Sequence, residues 1–144
     1  MPSVETLGTI QIILMDKTGT LTQNSMRVKK VWLRENKFQN DMMRASVLGN
    51  TASLVEKEGK PSSAWDILGD KTDGALLLWA KEKVKDLSLL KDDGKIVDEY
   101  VFDPETKTIT TVFWQAGKTS VYVRGAPETI LKKSSLSETE KQTI

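Results

Sequence analysis

Apolar positions along the chain follow two periods, and the mixture predicts an α/β (α+β) fold. Segments in which apolar and β-branched residues alternate or cluster are typical of strands. Segments in which apolar residues recur every three or four positions are typical of helices with one buried face. Strands are predicted at residues 9–15, 28–34, 96–102, 107–115 and 119–124. Helices are predicted near residues 41–54 and 73–87, and two more are expected to start at Pro127 and Ser137.

The later strands predict a mostly antiparallel sheet flanked by helices, with a short hairpin connector at residues 116–118. The first strand differs, because its sequence TIQIILM is mostly apolar and rich in β-branched residues, as is typical of strands buried in parallel sheets. We therefore expect it to be a buried strand of a parallel sheet. Without that sheet, its apolar side chains are expected to be exposed or to pack against another copy of the chain, namely Ile10, Ile12, Ile13 and Leu14.

The loop DKTGTLT follows this first strand and carries candidate chemistry. Asp16 stands at the carboxyl end of the strand and opens into a glycine-containing loop, which is where α/β folds bind ligands. A carboxylate can attack phosphorus and form an aspartyl phosphate. Lys17 can offset negative charge, and the hydroxyls of Thr18 and Thr20 can donate to phosphate oxygens.

Composition narrows the chemistry further. The 144 residues include no Cys and no His, which excludes disulfides, thiolate nucleophiles and histidine bases or ligands. The 21 basic and 20 acidic residues nearly balance, which argues against a dedicated nucleic-acid binder. The longest apolar run, residues 75–80, is far shorter than the roughly 20 residues of a membrane-spanning helix. We therefore expect a soluble chain that works through carboxylates, hydroxyls and amines.

The string DKTGTLTQNSM resembles the phosphorylation loop of P-type ion-pumping ATPases. This resemblance implies that Asp16 accepts the γ-phosphoryl group of ATP and that Lys17 and Thr20 belong to the same catalytic loop. It also implies that Asp16 and Thr18 form part of a Mg²⁺ site. In related phosphatases a second Asp follows two positions after the nucleophile. Thr18 stands there in this chain, so hydrolysis of the aspartyl phosphate is expected to be slow.

Three further segments resemble the nucleotide-binding signatures of the same family, in the family's order. GDKTDGALL contains Asp73, which resembles the acid that accepts a hydrogen bond from the adenine amino group. YVFDPETKT contains Phe102, which resembles the aromatic residue that stacks on adenine, and Lys107, which resembles a pocket lysine. VRGAPE contains Arg124 at the position of a family lysine, followed by Gly125, where the backbone can approach the ligand closely.

Structural alternatives remain open for two of these residues. Asp73 is also an acid in the first turn of a helix, where the helix dipole favours it. Phe102 is also a candidate core residue of a strand. A third position departs from some relatives, because Pro104 stands where they carry an arginine. The phosphate contact of that arginine is therefore absent here or is supplied by another residue.

The resemblance assigns residues 1–26, from the entry segment PSVETLG to the DKTGTLT loop, to the start of a Rossmann-like phosphorylation domain. Residues 27–144 correspond to most of a nucleotide-binding domain, truncated at the C-terminus. The parent protein is then an ATP-driven cation transporter with Mg²⁺ as cofactor, and this part lies on the cytoplasmic side of a membrane. Its partners are ATP and the remaining phosphorylation, actuator and transmembrane domains.

The isolated chain is expected to bind adenine nucleotides weakly and to turn over ATP negligibly. The alternatives are a stand-alone nucleotide-binding module, a fragment of a haloacid-dehalogenase-like phosphatase and a non-catalytic interaction fragment. Thr18 in place of a second Asp counts against the phosphatase. The absence of His disfavours the soft-metal pumps of the family, whose nucleotide domains usually carry a histidine-based signature.

Overall fold

The computed structural model describes Gly8 and residues 11–144. Within this part the helices are α1 (Gln39–Val47), α2 (Lys71–Lys83), α3 (Pro127–Lys133) and α4 (Glu138–Thr143). The strands are β1 (Ser53–Val55), β2 (Asp66–Leu68), β3 (Lys95–Asp103), β4 (Thr108–Gln115) and β5 (Lys118–Gly125). Short 3₁₀ turns occupy Asn36–Phe38, Ser62–Ala64 and Leu87–Leu90. The arrangement confirms the predicted α+β class.

The strands form two antiparallel sheets. β1 pairs with β2, and the larger sheet has the order β3-β4-β5. β4 and β5 are joined by a tight turn in which Ala116 (φ 47°) and Gly117 (φ 80°) both adopt left-handed conformations. A two-residue hairpin turn of this kind matches the twist of the strands on either side. The predicted antiparallel sheet is therefore confirmed, and its strands at 96–102, 107–115 and 119–124 differ from the observed ones by one residue at most ends.

The core lies between α1, α2 and the adjoining loops. Its buried members are Met43, Val47, Ala52, Leu77, Trp79, Ala80 and Leu90. Helix α2 begins where the Asp70 side chain accepts a hydrogen bond from the Asp73 backbone N–H at 2.9 Å, which satisfies a donor that the helix itself leaves unpaired. Phe113 of β4 is 1% exposed, and its ring centroid lies 5.4 Å from Cζ of Arg44 in α1, which links the larger sheet to this helical layer. The Asp70 cap therefore fixes the N-terminus of α2, and the core contacts fix its apolar face.

Two predicted strands are wrong over the described residues. Residues 23–33 have no regular structure, although alternation had predicted a strand at 28–34. No described strand pairs with these residues, so their backbone N–H and C=O groups form no strand-to-strand hydrogen bonds. Val28 packs against the core instead. Residues 11–15 of the predicted first strand also form no strand, and Ile12, Ile13 and Leu14 are exposed as expected. Thr9 and Ile10 lie outside the described residues.

The two long predicted helices have different limits from those expected. The helix predicted to reach residue 54 ends at Val47, because Leu48 is extended and Gly49 adopts a left-handed φ of 61°. The following residues form the β1–β2 pair, which the apolar pattern did not indicate. The helix predicted for 73–87 spans Lys71–Lys83 and is followed by a 3₁₀ turn. None of the helices in the described part of the chain has the length and apolar character that crossing a membrane requires.

Candidate functional site

Four of the five residues expected to bind nucleotide lie together where β4 begins and β5 ends. Gly125 pairs with Thr108, the first residue of β4, and Arg124 pairs with Ile109. Lys107 immediately precedes β4. Asp73, in the first turn of α2, bonds directly to Arg124. The sheet and the N-terminus of α2 thus bring together residues that are up to 52 positions apart along the chain.

Asp73 is buried, and both of its carboxylate oxygens accept hydrogen bonds. The residue is 8% exposed. Its Oδ2 atom accepts hydrogen bonds from the Thr51 backbone N–H at 3.0 Å and from the Thr51 hydroxyl at 3.1 Å. Its Oδ1 atom lies 2.7 Å from Nη1 of Arg124. Two of the three donors to this carboxylate therefore come from one residue of the loop between α1 and β1.

Arg124 reaches from β5 to both helical segments. Its side chain is 14% exposed, and Nη1 pairs with Asp73. Its Nη2 donates to the carbonyl oxygen of Gly49. A lysine ammonium is a single point donor group, whereas the planar guanidinium offers its N–H groups in a fixed fork. The departure from the family lysine therefore adds a defined link between β5, α2 and the end of α1.

Gly125 and Lys107 are in backbone contact. A Cβ atom at Gly125 would collide with the Lys107 carbonyl oxygen and would lie 2.8 Å from Cγ2 of Thr108, so only glycine fits here without a shift. Lys107 adopts a left-handed φ of 52° and donates its backbone N–H to Asp103 at 2.7 Å. Its ammonium lies 3.8 Å from Glu128 and its side chain is 59% exposed. Lys107 therefore presents a cation at the open end of the sheet.

Phe102 lies at the same end of the sheet, on β3. The next residue, Asp103, pairs with Thr108, and Thr108 pairs with Gly125. Phe102 is 57% exposed, so the alternative that it is a core residue is wrong. Phe102 lies within the segment between Tyr100 and Asp103 where the pairing of β3 with β4 shifts its register. The ring is therefore accessible at this end of the sheet.

The turn between β3 and β4 is organised by the Asp103 carboxylate. Oδ1 accepts from the Glu105 backbone N–H at 2.9 Å, and Oδ2 accepts from the Thr106 hydroxyl at 2.9 Å. These hydrogen bonds, the backbone one first, hold the pKa of Asp103 below its ordinary value. Side chains of Asp commonly bond to the backbone two residues ahead in this way. The turn holds Lys107 in its left-handed conformation.

Sequence reasoning missed the loop that supports Asp73. Asn50 donates from Nδ2 to the carbonyl oxygens of Ser46 (3.0 Å) and Asp73 (2.8 Å), and its Oδ1 accepts from the Ala52 N–H at 2.9 Å. Thr51 supplies the two donors to Asp73 described above. Gly-Asn followed by Thr is a turn signal, but such a signal does not reveal which distant residue the turn contacts. A groove of about 390 Å³ runs beside this loop, lined in part by Glu99 and Phe113.

The predicted catalytic residues lie on an exposed loop. All residues from 11 to 26 are exposed, including Asp16, Lys17, Thr18 and Thr20. The turn Lys17–Leu21 contains Gly19 at a left-handed φ of 86° and is closed by a 3.1 Å hydrogen bond from the Thr22 N–H to the Lys17 carbonyl. Within the described residues no group of three or more His, Cys, Asp or Glu could hold a metal ion. The two predicted Mg²⁺ ligands therefore do not form a complete site among these residues.

Comparison with known protein families identifies the fold. Residues 38–143 match the model of the P-type ATPase cytoplasmic domain N. The chain belongs to this family. The match includes all five predicted nucleotide-binding residues, whereas Asp16 lies before its first residue. The N-domain assignment therefore covers the larger sheet, the helices α1 to α4 and the residues grouped where β4 begins and β5 ends.

Individual relatives extend the similarity toward the N-terminus. The chain is 36% identical over 141 residues to a probable cation-transporting P-type ATPase of Mycoplasma genitalium, covering 98% of the chain and 15% of the relative. It is 28% identical over 163 residues to a calcium-transporting ATPase of Bacillus subtilis, covering 94% and 18%. It is 31% identical over 136 residues to calcium-transporting ATPase 1 of Lactococcus lactis, covering 92% and 16%. The chain spans less than a fifth of the length of these relatives.

Proposed function

We propose that the chain is the ATP-binding part of a cation-transporting P-type ATPase and lies on the cytoplasmic side of a membrane. The observation that carries this proposal is the grouping of an exposed aromatic ring, an exposed lysine and a buried acid at one end of the sheet, inside the segment that matches the N-domain model. Cation transport is proposed from the names of relatives much longer than this chain. Residues 1–26 are proposed to start the phosphorylation domain, and residues 27–144 to form the N domain.

The proposed pocket recognises the base and the phosphates through different groups. Stacking of a base on an aromatic ring is worth about 1–3 kcal/mol, and Phe102 offers such a ring. Lys107 is the exposed cation that meets the phosphate chain. Asp73 accepts from the amino group of adenine, and Arg124 lines the pocket next to it. Gly125 is proposed to line the pocket with its backbone. The closed backbone contact between Gly125 and Lys107 supports a common site for them.

Asp16 is proposed as the phosphoacceptor of the whole protein. One carboxylate oxygen would attack the γ-phosphorus of ATP, the bond from that phosphorus to the β–γ bridging oxygen would break, and ADP would leave. Lys17 and the hydroxyls of Thr18 and Thr20 would offset the charge on the transferred phosphoryl group. Mg²⁺ is proposed as the cofactor, with Asp16 and Thr18 as two of its ligands. Two ligands are fewer than such a site needs.

Binding can be tested directly with the 144-residue chain. Titration of ¹⁵N-labelled protein with ATP and with AMP should shift the signals of Phe102, Lys107 and Gly125 in both cases, since both ligands carry adenine. Phe102→Ala should weaken binding of both nucleotides by about tenfold, the equivalent of the lost stacking. Lys107→Ala should weaken the binding of ATP more than the binding of AMP, because ATP carries more phosphate charge.

A phenylalanine outside the pocket provides the matched control. Phe38 is 39% exposed and lies in the turn before α1, so Phe38→Ala should bind both nucleotides like the wild type. Absence of any shift with either nucleotide would contradict the proposal and would favour an interaction fragment. Equal losses from the two phenylalanine substitutions would also count against a specific pocket.

The isolated chain is proposed to lack significant ATPase activity. Phosphoryl transfer depends on positioning and on neutralisation of charge, and the exposed loop at residues 16–22 presents only part of the groups required. A phosphate-release assay on the purified chain should therefore stay at the background rate. Vanadate-sensitive release of phosphate would contradict this proposal. Release of phosphate from small phosphate esters, without ATP dependence, would instead favour the phosphatase alternative.

A further inference from the structure

The loop between α1 and β1 gives the Asp73 carboxylate a single open acceptor position. We propose that Thr51 is a positioning residue that occupies one carboxylate oxygen of Asp73, so that the other oxygen faces the purine base and selects a 6-amino group. This inference rests on the proposed function, because it assumes that the pocket binds a nucleotide. It adds to that function the residue that sets the base preference.

The hydrogen bonds around Asp73 are asymmetric. An ionised carboxylate has about four acceptor positions, two on each oxygen. Oδ2 receives two donors from Thr51, its backbone N–H at 3.0 Å and its hydroxyl at 3.1 Å. Oδ1 receives one donor, Nη1 of Arg124 at 2.7 Å. Oδ2 is therefore saturated, whereas Oδ1 keeps one acceptor position that no donor of the described residues occupies.

Thr51 is itself held in place, so its orientation is passed on to Asp73. The neighbouring Asn50 bonds to the end of α1 through the Ser46 carbonyl and to α2 through the Asp73 carbonyl. On the other side of Asn50, the Gly49 carbonyl accepts from Arg124. A Cβ atom at Gly49 would collide with Oγ1 of Thr111 and would lie 2.8 Å from Oε1 of Glu99, so the loop packs directly on the sheet. The loop has little freedom to reorient Thr51.

The open position on Oδ1 distinguishes purines by their substituent at position 6. Adenine carries an amino group there, which donates to a carboxylate. Hypoxanthine carries a carbonyl oxygen at position 6. This oxygen accepts hydrogen bonds and cannot donate one to the carboxylate. Without the Thr51 hydroxyl, Oδ2 would keep only the Thr51 backbone N–H, and the carboxylate could rotate away from the orientation in which Oδ1 meets the base. Loss of the Thr51 hydroxyl should therefore reduce the discrimination between the two bases.

The experiment compares ATP with inosine triphosphate on the 144-residue chain. Dissociation constants are measured by NMR titration for the wild type, Thr51→Val, Thr51→Ser and Thr119→Val. Thr51→Val keeps the size and β-branching of the side chain but removes the hydroxyl. It should weaken the binding of ATP by about tenfold and change the binding of inosine triphosphate by less than about twofold. Thr51→Ser restores the hydroxyl and should restore the wild-type ratio. Thr119 is an exposed strand residue outside the pocket, so Thr119→Val controls for the substitution itself.

The outcomes separate this inference from the proposed function. If Thr51→Val weakens both nucleotides equally, or neither, Thr51 does not set base preference and the inference fails while the nucleotide site stands. If the wild type binds neither nucleotide, the proposed function fails and the inference fails with it. Retained dispersion of the amide spectrum checks that Thr51→Val is folded. Should that variant unfold, Thr51→Ala measured beside Thr51→Ser gives the same comparison of nucleotides.

Discussion

Arg124 joins three segments of the chain through one guanidinium group. It pairs with Asp73 of α2, donates to Gly49 at the end of α1 and belongs itself to β5. Both side chains of the ion pair are less than 15% exposed. A buried pair adds little net stability over an apolar alternative, but removing one member leaves a charge unpaired at a large cost. The pair therefore acts mainly as a constraint on geometry.

Two substitutions of Arg124 distinguish the effect of its charge on Asp73 from the effect of its hydrogen bond to Gly49. Arg124→Ala should lower the free energy of unfolding by about 3 kcal/mol, because Asp73 is left buried without its cation. Arg124→Lys should cost about 1 kcal/mol, since it keeps the charge and loses the bond to Gly49. Urea unfolding followed by circular dichroism measures both. Arg34→Ala, at an exposed ion pair, should leave the midpoint nearly unchanged, and equal effects of all three variants would contradict this account.

The Asp103 carboxylate should make part of the stability depend on pH. Its pKa in the folded chain lies below the ordinary value of 3.8, mainly through the Glu105 backbone hydrogen bond and then through Thr106. A lowered pKa in the folded state contributes stability that is complete above the ordinary value and is lost as pH falls through the folded value. An NMR titration of the Asp103 carboxyl carbon should show the lowered pKa directly.

A variant at the same turn tests the cause of this pKa. Thr106→Val removes the second hydrogen bond to Asp103, so the pKa of Asp103 should rise toward its ordinary value while remaining below it. Thr119→Val, far from the turn, should leave the pKa of Asp103 as in the wild type. A wild-type pKa at or above 3.8 would show that the turn does not stabilise the charged form.

At the scale of elements, Gly74 sets the approach of α2 to β2. A Cβ atom at this position would collide with Cγ2 of Ile67 and would lie 2.8 Å from Cγ1 and 2.9 Å from Cβ of the same residue. Ile67 is β-branched and carries few rotamers, so it cannot move aside easily. A glycine in the first turns of a helix is usually unfavourable. Its presence here is explained by close packing rather than by helix formation.

Gly74→Ala should therefore destabilise the chain, although alanine favours helices. We expect a loss of about 1–2 kcal/mol, because the cost of overpacking exceeds the gain in helix propensity of up to about 1 kcal/mol. Thermal unfolding of the single variant measures the loss. In an Ile67→Ala background the same substitution should cost nothing further or should stabilise. If Gly74→Ala alone raises stability, the close contact does not constrain α2.

At the scale of the whole molecule, the described residues that pack in the core come after the exposed stretch at residues 11–26. All residues from 11 to 26 are exposed, whereas Val28 packs against the core. A chain that starts at residue 26 should therefore unfold with the same midpoint as the complete sequence and should keep the amide spectrum of residues 38–143. A clear fall in the unfolding midpoint would mean that the first 25 residues contribute to the core. As a control, a chain that starts at residue 31 should be less stable, because it lacks Val28.

Pattern reasoning was most reliable for elements whose partners are close along the chain. β4 and β5 form a hairpin, and their alternation and turn residues predicted both strands. The segment at 28–34 has a similar alternation but no partner strand, and its prediction was wrong. Alternation reports that a segment has one apolar face; it does not report whether a second strand is available to complete the hydrogen bonds. The prediction of a helix that reaches residue 54 was wrong because Gly49, which lies just beyond the end of the helix, was not recognised as a break.

The sequence by itself determined the family signatures, the order of the major elements and the residue types of the proposed site, because these depend on local patterns and short motifs. Only the tertiary structure decided which atoms meet. Thr51 and Gly49 had no motif to mark them, and their contacts to Asp73 and Arg124 arise when α1, α2 and β5 converge. The exposure of Phe102 was likewise undecided, since a strand pattern does not say which face is covered. Long-range contact depends on how the elements pack, and packing is a property of the whole chain.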